Sequence, residues 1–174
     1  MANLKSSSNY LHQIVLTALF TALVTISTMI IKVPTVATQG YINVGDVMVF
    51  ISAMLGGPRK GLIAGGVGSA LADLLSGYAA WAPWTFIIKA IEGLIVGLLG
   101  SNNYEREKCL GIKEVAVLIT ASLWMVFGYY VAGGIMKGFS VSFLEIPANI
   151  IQAAGSLMIA IPLLIALKKA KLPI

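Results

Sequence analysis

Charge is what this sequence has least of. Only 11% of its 174 residues are Asp, Glu, Lys or Arg, against 58% hydrophobic. That is too little charge to coat a soluble domain of this length, so water is not the main solvent of the chain. A single cysteine, Cys109, excludes an internal disulfide and reads as an incidental thiol in a connection. A single histidine, His12, stands near the first membrane boundary and leaves zinc and di-metal sites without ligands. No serine has a visible base beside it, so an intramembrane hydrolase has no chemistry to use. A phosphate loop is absent as well: the nearest match, residues 56–61, runs on into Leu62, and the Gly65-Gly66-Val67-Gly68 run follows no strand. ATP hydrolysis by that route is excluded, and no catalytic residue is expected. The basic groups are scattered between apolar runs rather than gathered on a face with aromatics, which sets nucleic acid aside. No linker or shift in composition divides residues 1–174, which read as a single domain.

Long apolar runs are what the sequence does have. About twenty residues cross the hydrocarbon core, and runs near 11–31, 83–100, 113–136 and 145–167 meet that test. The first is long enough to be a retained helix rather than a signal peptide. The stretch 44–77 is too long for one helix. It is interrupted by Gly56-Gly57-Pro58-Arg59-Lys60-Gly61, where Pro removes a backbone donor and the paired charges resist burial. It therefore reads as two helices, 44–56 and 61–77, the first of them short. The expected fold is an all-α integral membrane protein of the cell membrane, a compact bundle of six transmembrane helices with both termini cytoplasmic.

The distribution of Lys and Arg sets that orientation. Inside would lie the nine residues Lys5, Arg59, Lys60, Arg106, Lys108, Lys113, Lys168, Lys169 and Lys171, and outside the two residues Lys32 and Lys137, as the positive-inside rule favours. The outer connections are then 32–43, 78–82 and 137–144. They carry Pro34, Gln39, Tyr41, Asn43, Tyr78, Trp81 and Phe139, and an aromatic at such a boundary is most often an interfacial anchor.

Small residues recur every four positions: Ala18 and Ala22 in the first span, Ala64, Gly68 and Ala72 in the third, Gly93 and Gly97 in the fourth. Such faces let helix backbones approach closely. In the first span, with Thr21 and Thr25 alongside, the strip suits either internal packing or docking of a separate membrane subunit, and the residues leave both open.

Lys89 and Glu92 lie in the middle of the fourth span, where a charge costs about 2.5 to 3.5 kcal/mol on insertion scales and calls for a partner or a cavity. Their i,i+3 spacing puts them on one face, where they can neutralise each other. A register-fixing ion pair would account for these two alone. They have company, however: Trp81, Thr85, Lys89 and Glu92 follow helical spacing inward from the outer mouth, and Glu145, Asn149, Gln152 and Ser156 repeat the pattern in the sixth span. Asp46, Asp73, Ser76 and Trp84 join them around the outer half, whereas 93–100 and 157–167 are almost wholly small or aliphatic. Two facing polar stripes predict a pocket that opens outward and closes inward. A through-channel would need polar lining across the full thickness. One cation, carboxylates, amides and aromatic rings suit a small planar heteroaromatic solute, although an amino acid could use the same groups.

The Ala18-Leu-Phe-Thr-Ala22 strip, the loop into Tyr41-Ile-Asn-Val-Gly-Asp46, the turn at 56–61, Ala72-Asp-Leu-Leu-Ser-Gly-Tyr78 and Trp84-Thr-Phe-Ile-Ile-Lys89-Ala-Ile-Glu92-Gly93 together resemble the substrate-binding S components of energy-coupling factor (ECF) vitamin transporters. The resemblance covers nearly the whole chain and is nearest to the hydroxymethylpyrimidine or pyridoxine-type branch, with riboflavin-type labels also used for relatives. It implies that Ala18 and Ala22 contact a membrane coupling (T) subunit. It also implies a ligand near the outer face, between the first outer loop and the fourth to sixth helices. The residues expected to bind it are Lys89, Glu92, Asn149, Gln152, Trp84, Thr85, Tyr41, Asn43 and Trp81. Two cytoplasmic ATPase subunits, carrying the ATP and Mg that this chain does not bind, and a toppling of the loaded subunit to release cargo are implied too. The rival readings are an autonomous carrier or channel, and an assembly subunit whose polar stripes only hold helices together.

Overall fold

A computed structural model describes residues 2–35, 40–106 and 110–170, with side chains over 10–34, 41–101 and 110–170. Gln39, Lys108, Cys109 and Lys171, and the side chains of Lys5 and Arg106, lie outside the described residues.

Helix α1 (Ala2–Ile30) contains neither Gly nor Pro. Its threonines spare the bilayer their hydroxyls by turning back along the helix: Thr17, Thr21 and Thr28 donate to the carbonyls of Gln13, Thr17 and Val24 at 2.7, 2.8 and 2.8 Å. Thr25 donates to the Thr21 carbonyl and also to that of Gly68, both at 2.9 Å, tying α1 to its neighbour.

The connection expected over 32–43 contains two strands. Strands β1 (Lys32–Thr35) and β2 (Gly40–Asn43) pair antiparallel, with Val33 opposite Ile42 and Pro34 opposite Tyr41. The all-α expectation is corrected to that extent. Pro34 lacks an N–H, which a two-stranded ribbon tolerates because both strands are edges.

Helix α2 (Gly45–Leu75) carries the interruption read at residues 56–61, and the break falls at Gly57, with φ 78° and ψ −175°. The positive φ suits glycine, and Pro58 directly after it resumes the helix. A straight helix would hold Gly65 and Val49 about 24 Å apart. Instead, a Cβ on Gly65 would stand 3.2 Å from Val49 Cγ1, and one on Gly61 would stand 2.6 Å from the Ala53 Cβ. The two arms of α2 therefore lie side by side and antiparallel.

Helix α3 (Ala82–Arg106) packs on the second arm with no side chain between them: a Cβ on Gly93 would run into the Gly61 carbonyl, and one on Gly97 into Pro58. The small residues expected to pack helix on helix here do so. Helix α4 (Ile112–Lys137) ends at Gly138, with φ 93°, and leads into the short helix α5 (Phe139–Phe143), which occupies the expected outer connection 137–144. Helix α6 (Ile146–Lys169) carries Pro147 in its first turn, where its missing N–H costs nothing.

Among the described residues, five stretches are long and apolar enough to cross a membrane: Tyr10–Ile30, Gly45–Leu75, Ala82–Ser101, Ile112–Lys137 and Phe139–Lys169. Large apolar side chains such as Leu19, Leu75, Leu98, Leu123, Ile151 and Met158 are more than half exposed, as a multi-pass membrane protein facing lipid requires. Of three buried clusters among the described residues, one around Phe20, Val24, Val49 and Ala64 holds α1 on α2, and the other two lie towards opposite ends of the bundle. At the Gly57 end, Phe50, Ile51, Met54, Val96, Leu118, Ala160 and Leu164 pack together. Towards the hairpin end, Trp81, Ile88, Met125, Ala132 and Ala153 form an aromatic-rich group, with Trp84 and Tyr129 against it.

Candidate functional site

A cavity of about 610 Å³, counted to its open mouth, lies at the hairpin end. It is lined from β2 by Tyr41, Ile42 and Asn43, from α1 by Thr28, and from the second arm of α2 by Ser69 and Asp73. Trp81 stands just before α3, which adds Thr85 and Lys89; α4 adds Tyr129, and Glu145, Ala148, Asn149 and Gln152 complete the wall. Seven of the nine residues expected around a ligand are thus brought together: Lys89, Asn149, Gln152, Thr85, Tyr41, Asn43 and Trp81.

The other two do not line it. Glu92 is fully buried behind Lys89, and Trp84 is half-buried among the aromatics at this end. Thr28, Ile42, Ser69, Tyr129 and Ala148 were not singled out in the sequence. Tyr129 had a signal, as a polar-tipped ring near the outer end of an otherwise apolar span. Ala148 and Ile42 had none.

One polar network forms the floor. Lys89, 2% exposed, holds Asp46 of α2 on one side and Glu92 at 2.7 Å on the other. The second oxygen of Asp46 accepts Gln152 Nε2 at 2.9 Å, and Gln152 Oε1 accepts the Asn43 backbone N–H at 3.0 Å. Asn43 Oδ1 in turn accepts the Gly45 N–H at 2.8 Å, fixing the start of α2. The chain Glu92–Lys89–Asp46–Gln152–Asn43 therefore joins α3, α2, α6 and the hairpin through groups that would be costly to bury singly.

Aromatic rings surround this floor. Tyr129 lies 5.7 Å from Lys89 Nζ and donates to Thr85 Oγ1 at 3.2 Å, with Trp81 6.1 Å away. Above them Tyr41 packs on Tyr78 at 4.7 Å and donates to Asp73 Oδ1 at 2.5 Å. Burial first, and then the Asp73 carboxylate, push the Tyr41 phenol well above its usual range, so it remains a donor. Lys32 Nζ donates to Ser76 at 2.6 Å and sits over the Tyr41 ring, while Lys137 sits over Trp81. Both rim cations thus stand at the mouth.

Below the floor the polar groups no longer connect. Ser52 and Ser101 donate to the carbonyls of Val49 and Gly97, and Glu114 caps the start of α4 through the Gly111 N–H at 2.8 Å. Between them lies the apolar cluster around Phe50, Met54 and Leu164. The arrangement can enclose a small ring compound at one end and, among the described residues, offers it no connected polar path to the other.

Ala18 and Ala22 are exposed and line a separate groove between α1 and α2, together with Thr17, Thr21, Pro58 and Arg59.

Residues 8–169 match the family described as ECF-type riboflavin transporter, S component. An uncharacterised protein of the gap 3′ region of Pyrococcus woesei is 40% identical over 153 residues, covering 87% of this chain and 98% of its own length. The thiamine precursor transporter HmpT of Lactococcus lactis subsp. cremoris is 28% identical over 149 residues, covering 85% of this chain and 82% of its own.

Proposed function

The chain belongs to the family of ECF-type riboflavin transporter S components, and from that premise we propose that it captures a small vitamin or vitamin precursor, of hydroxymethylpyrimidine or pyridoxine type, at the outer face of the cell membrane. The observation that carries this reading is the one-ended cavity: polar and ring-lined at the hairpin end, with a packed apolar cluster beneath it. The similarity to a thiamine precursor transporter supports the ligand class.

Six crossings with both termini in the cytoplasm belong to this reading, and the fold-back of α2 at Gly57 and the distribution of lysine and arginine support them. The first arm, Gly45 to Gly56, is only ~18 Å long. No covalent chemistry occurs on this chain. Release to the cytoplasm is driven by a T subunit, docked on the Ala18–Ala22 face of α1, and by two ATPase subunits that bind ATP and Mg.

Calorimetry on the detergent-purified chain tests the reading. It should bind at least one B-vitamin-like compound with no partner present, and binding of none across a broad panel would refute it. Uptake into liposomes by this chain alone would favour an autonomous carrier instead.

A further inference from the structure

Asp73 is 3% exposed, lines the cavity, and has no hydrogen-bond partner at Oδ2. A carboxylate offers about four acceptor positions. Tyr41 takes one of them on Oδ1, and the neighbouring Thr85, itself an acceptor for Tyr129, has a single hydrogen to offer. At least two positions are left without a donor from the protein. No protein cation fills them: the two ion pairs among the described residues both belong to Lys89, whose ammonium is shared by Asp46 and Glu92. Lys32 is directed to Ser76. Glu145 adds a further carboxylate to the same wall. The cavity thus presents buried acceptors and negative charge beside the faces of Trp81, Tyr129 and Tyr41, and the missing complement is a set of N–H donors on a flat ring.

Resting on the proposed vitamin-capture function, we infer that Asp73 is the specificity-determining anchor of the site, and that its ligand is a heteroaromatic base presenting an amidine-type edge, a ring nitrogen beside an exocyclic amino group, as in a 4-aminopyrimidine. Two parallel N–H donors on such an edge match the two oxygens of a carboxylate, as a guanidinium does.

The test is calorimetry on the purified full chain with 4-amino-5-hydroxymethyl-2-methylpyrimidine and with the same compound carrying hydrogen in place of the amino group. The wild type should prefer the amino compound by about tenfold to a hundredfold, the span expected of charge-assisted hydrogen bonds. Asp73→Asn keeps an acceptor for Tyr41 and should reduce that preference to within about threefold. The analogue comparison on the wild type stands even if the variant folds poorly. Equal wild-type affinity for the two compounds, or a preference that survives in Asp73→Asn, would overturn the inference. Binding of riboflavin but of neither pyrimidine would overturn it while leaving the capture function intact, and binding of no vitamin at all would remove both.

Discussion

Replacing Lys89 by Met keeps the length of the side chain and removes the one cation of the cavity floor. Asp46 and Glu92, 1% and 0% exposed, would then face each other with no ammonium between them. Asp46 would keep its bond from Gln152, but Glu92 Oε1 already lacks a partner and Oε2 would lose its own. Removing one member of a buried ion pair costs about 3–5 kcal/mol. For a chain of this length each kcal/mol moves the thermal midpoint by about 2–4 °C, so Lys89→Met should melt roughly 6–20 °C lower. Adding Glu92→Gln removes one of the two stranded charges and should restore about 1–3 kcal/mol, a coupling that independent sites would not show. Thermal unfolding of the wild type, the single variants and the double variant in one detergent measures all of this. A Lys89→Met protein that melts within 2 °C of wild type, or single losses that simply add in the double variant, would refute the floor network as a coupled unit.

The helix contacts make two further predictions. Ala18→Trp or Ala22→Trp places a ring on an exposed strip away from the cavity; uptake in cells should be abolished while calorimetric ligand affinity stays within about twofold, and normal uptake would remove the docking claim. Gly93→Ala drives a Cβ into the Gly61 carbonyl, a backbone atom that cannot swing away, whereas Gly155→Ala meets nothing within 4 Å. The first should lower stability by about 1–3 kcal/mol and the second should leave it unchanged or slightly raised, as thermal melts of the two variants will report.

Much of the fold could be read in the sequence because hydrocarbon imposes length and polarity so strictly. The apolar runs marked α1, α3, α4 and α6, and the Gly-Pro-Arg-Lys cluster marked the reversal in α2 to within a residue or two. The hairpin was hidden. A four-residue strand has little periodicity to show, and Pro34 argues against one. Within the site, Lys89 and Gln152 stood out because a polar group in a bilayer is conspicuous in any register. Depth was harder to judge than face: Glu92 shares a helix face with Lys89, yet one further turn carries it behind the ammonium and out of the void. Asp73 reads in the sequence only as a neighbour of the site, since nothing there says that Tyr41 takes one of its oxygens and leaves the other without a partner.

The backbone-to-backbone seam between α3 and the second arm of α2, where Gly93 meets Gly61 and Gly97 meets Pro58, has a consequence for how such a protein can change. Its cohesion is indifferent to what projects from the mouth, because no cavity side chain takes part in it. The rim at Trp81, Tyr129 and Asn149 can therefore be re-lined for another cargo while the scaffold beneath keeps its register, so one architecture can serve a repertoire of nutrients by exchanging a handful of side chains.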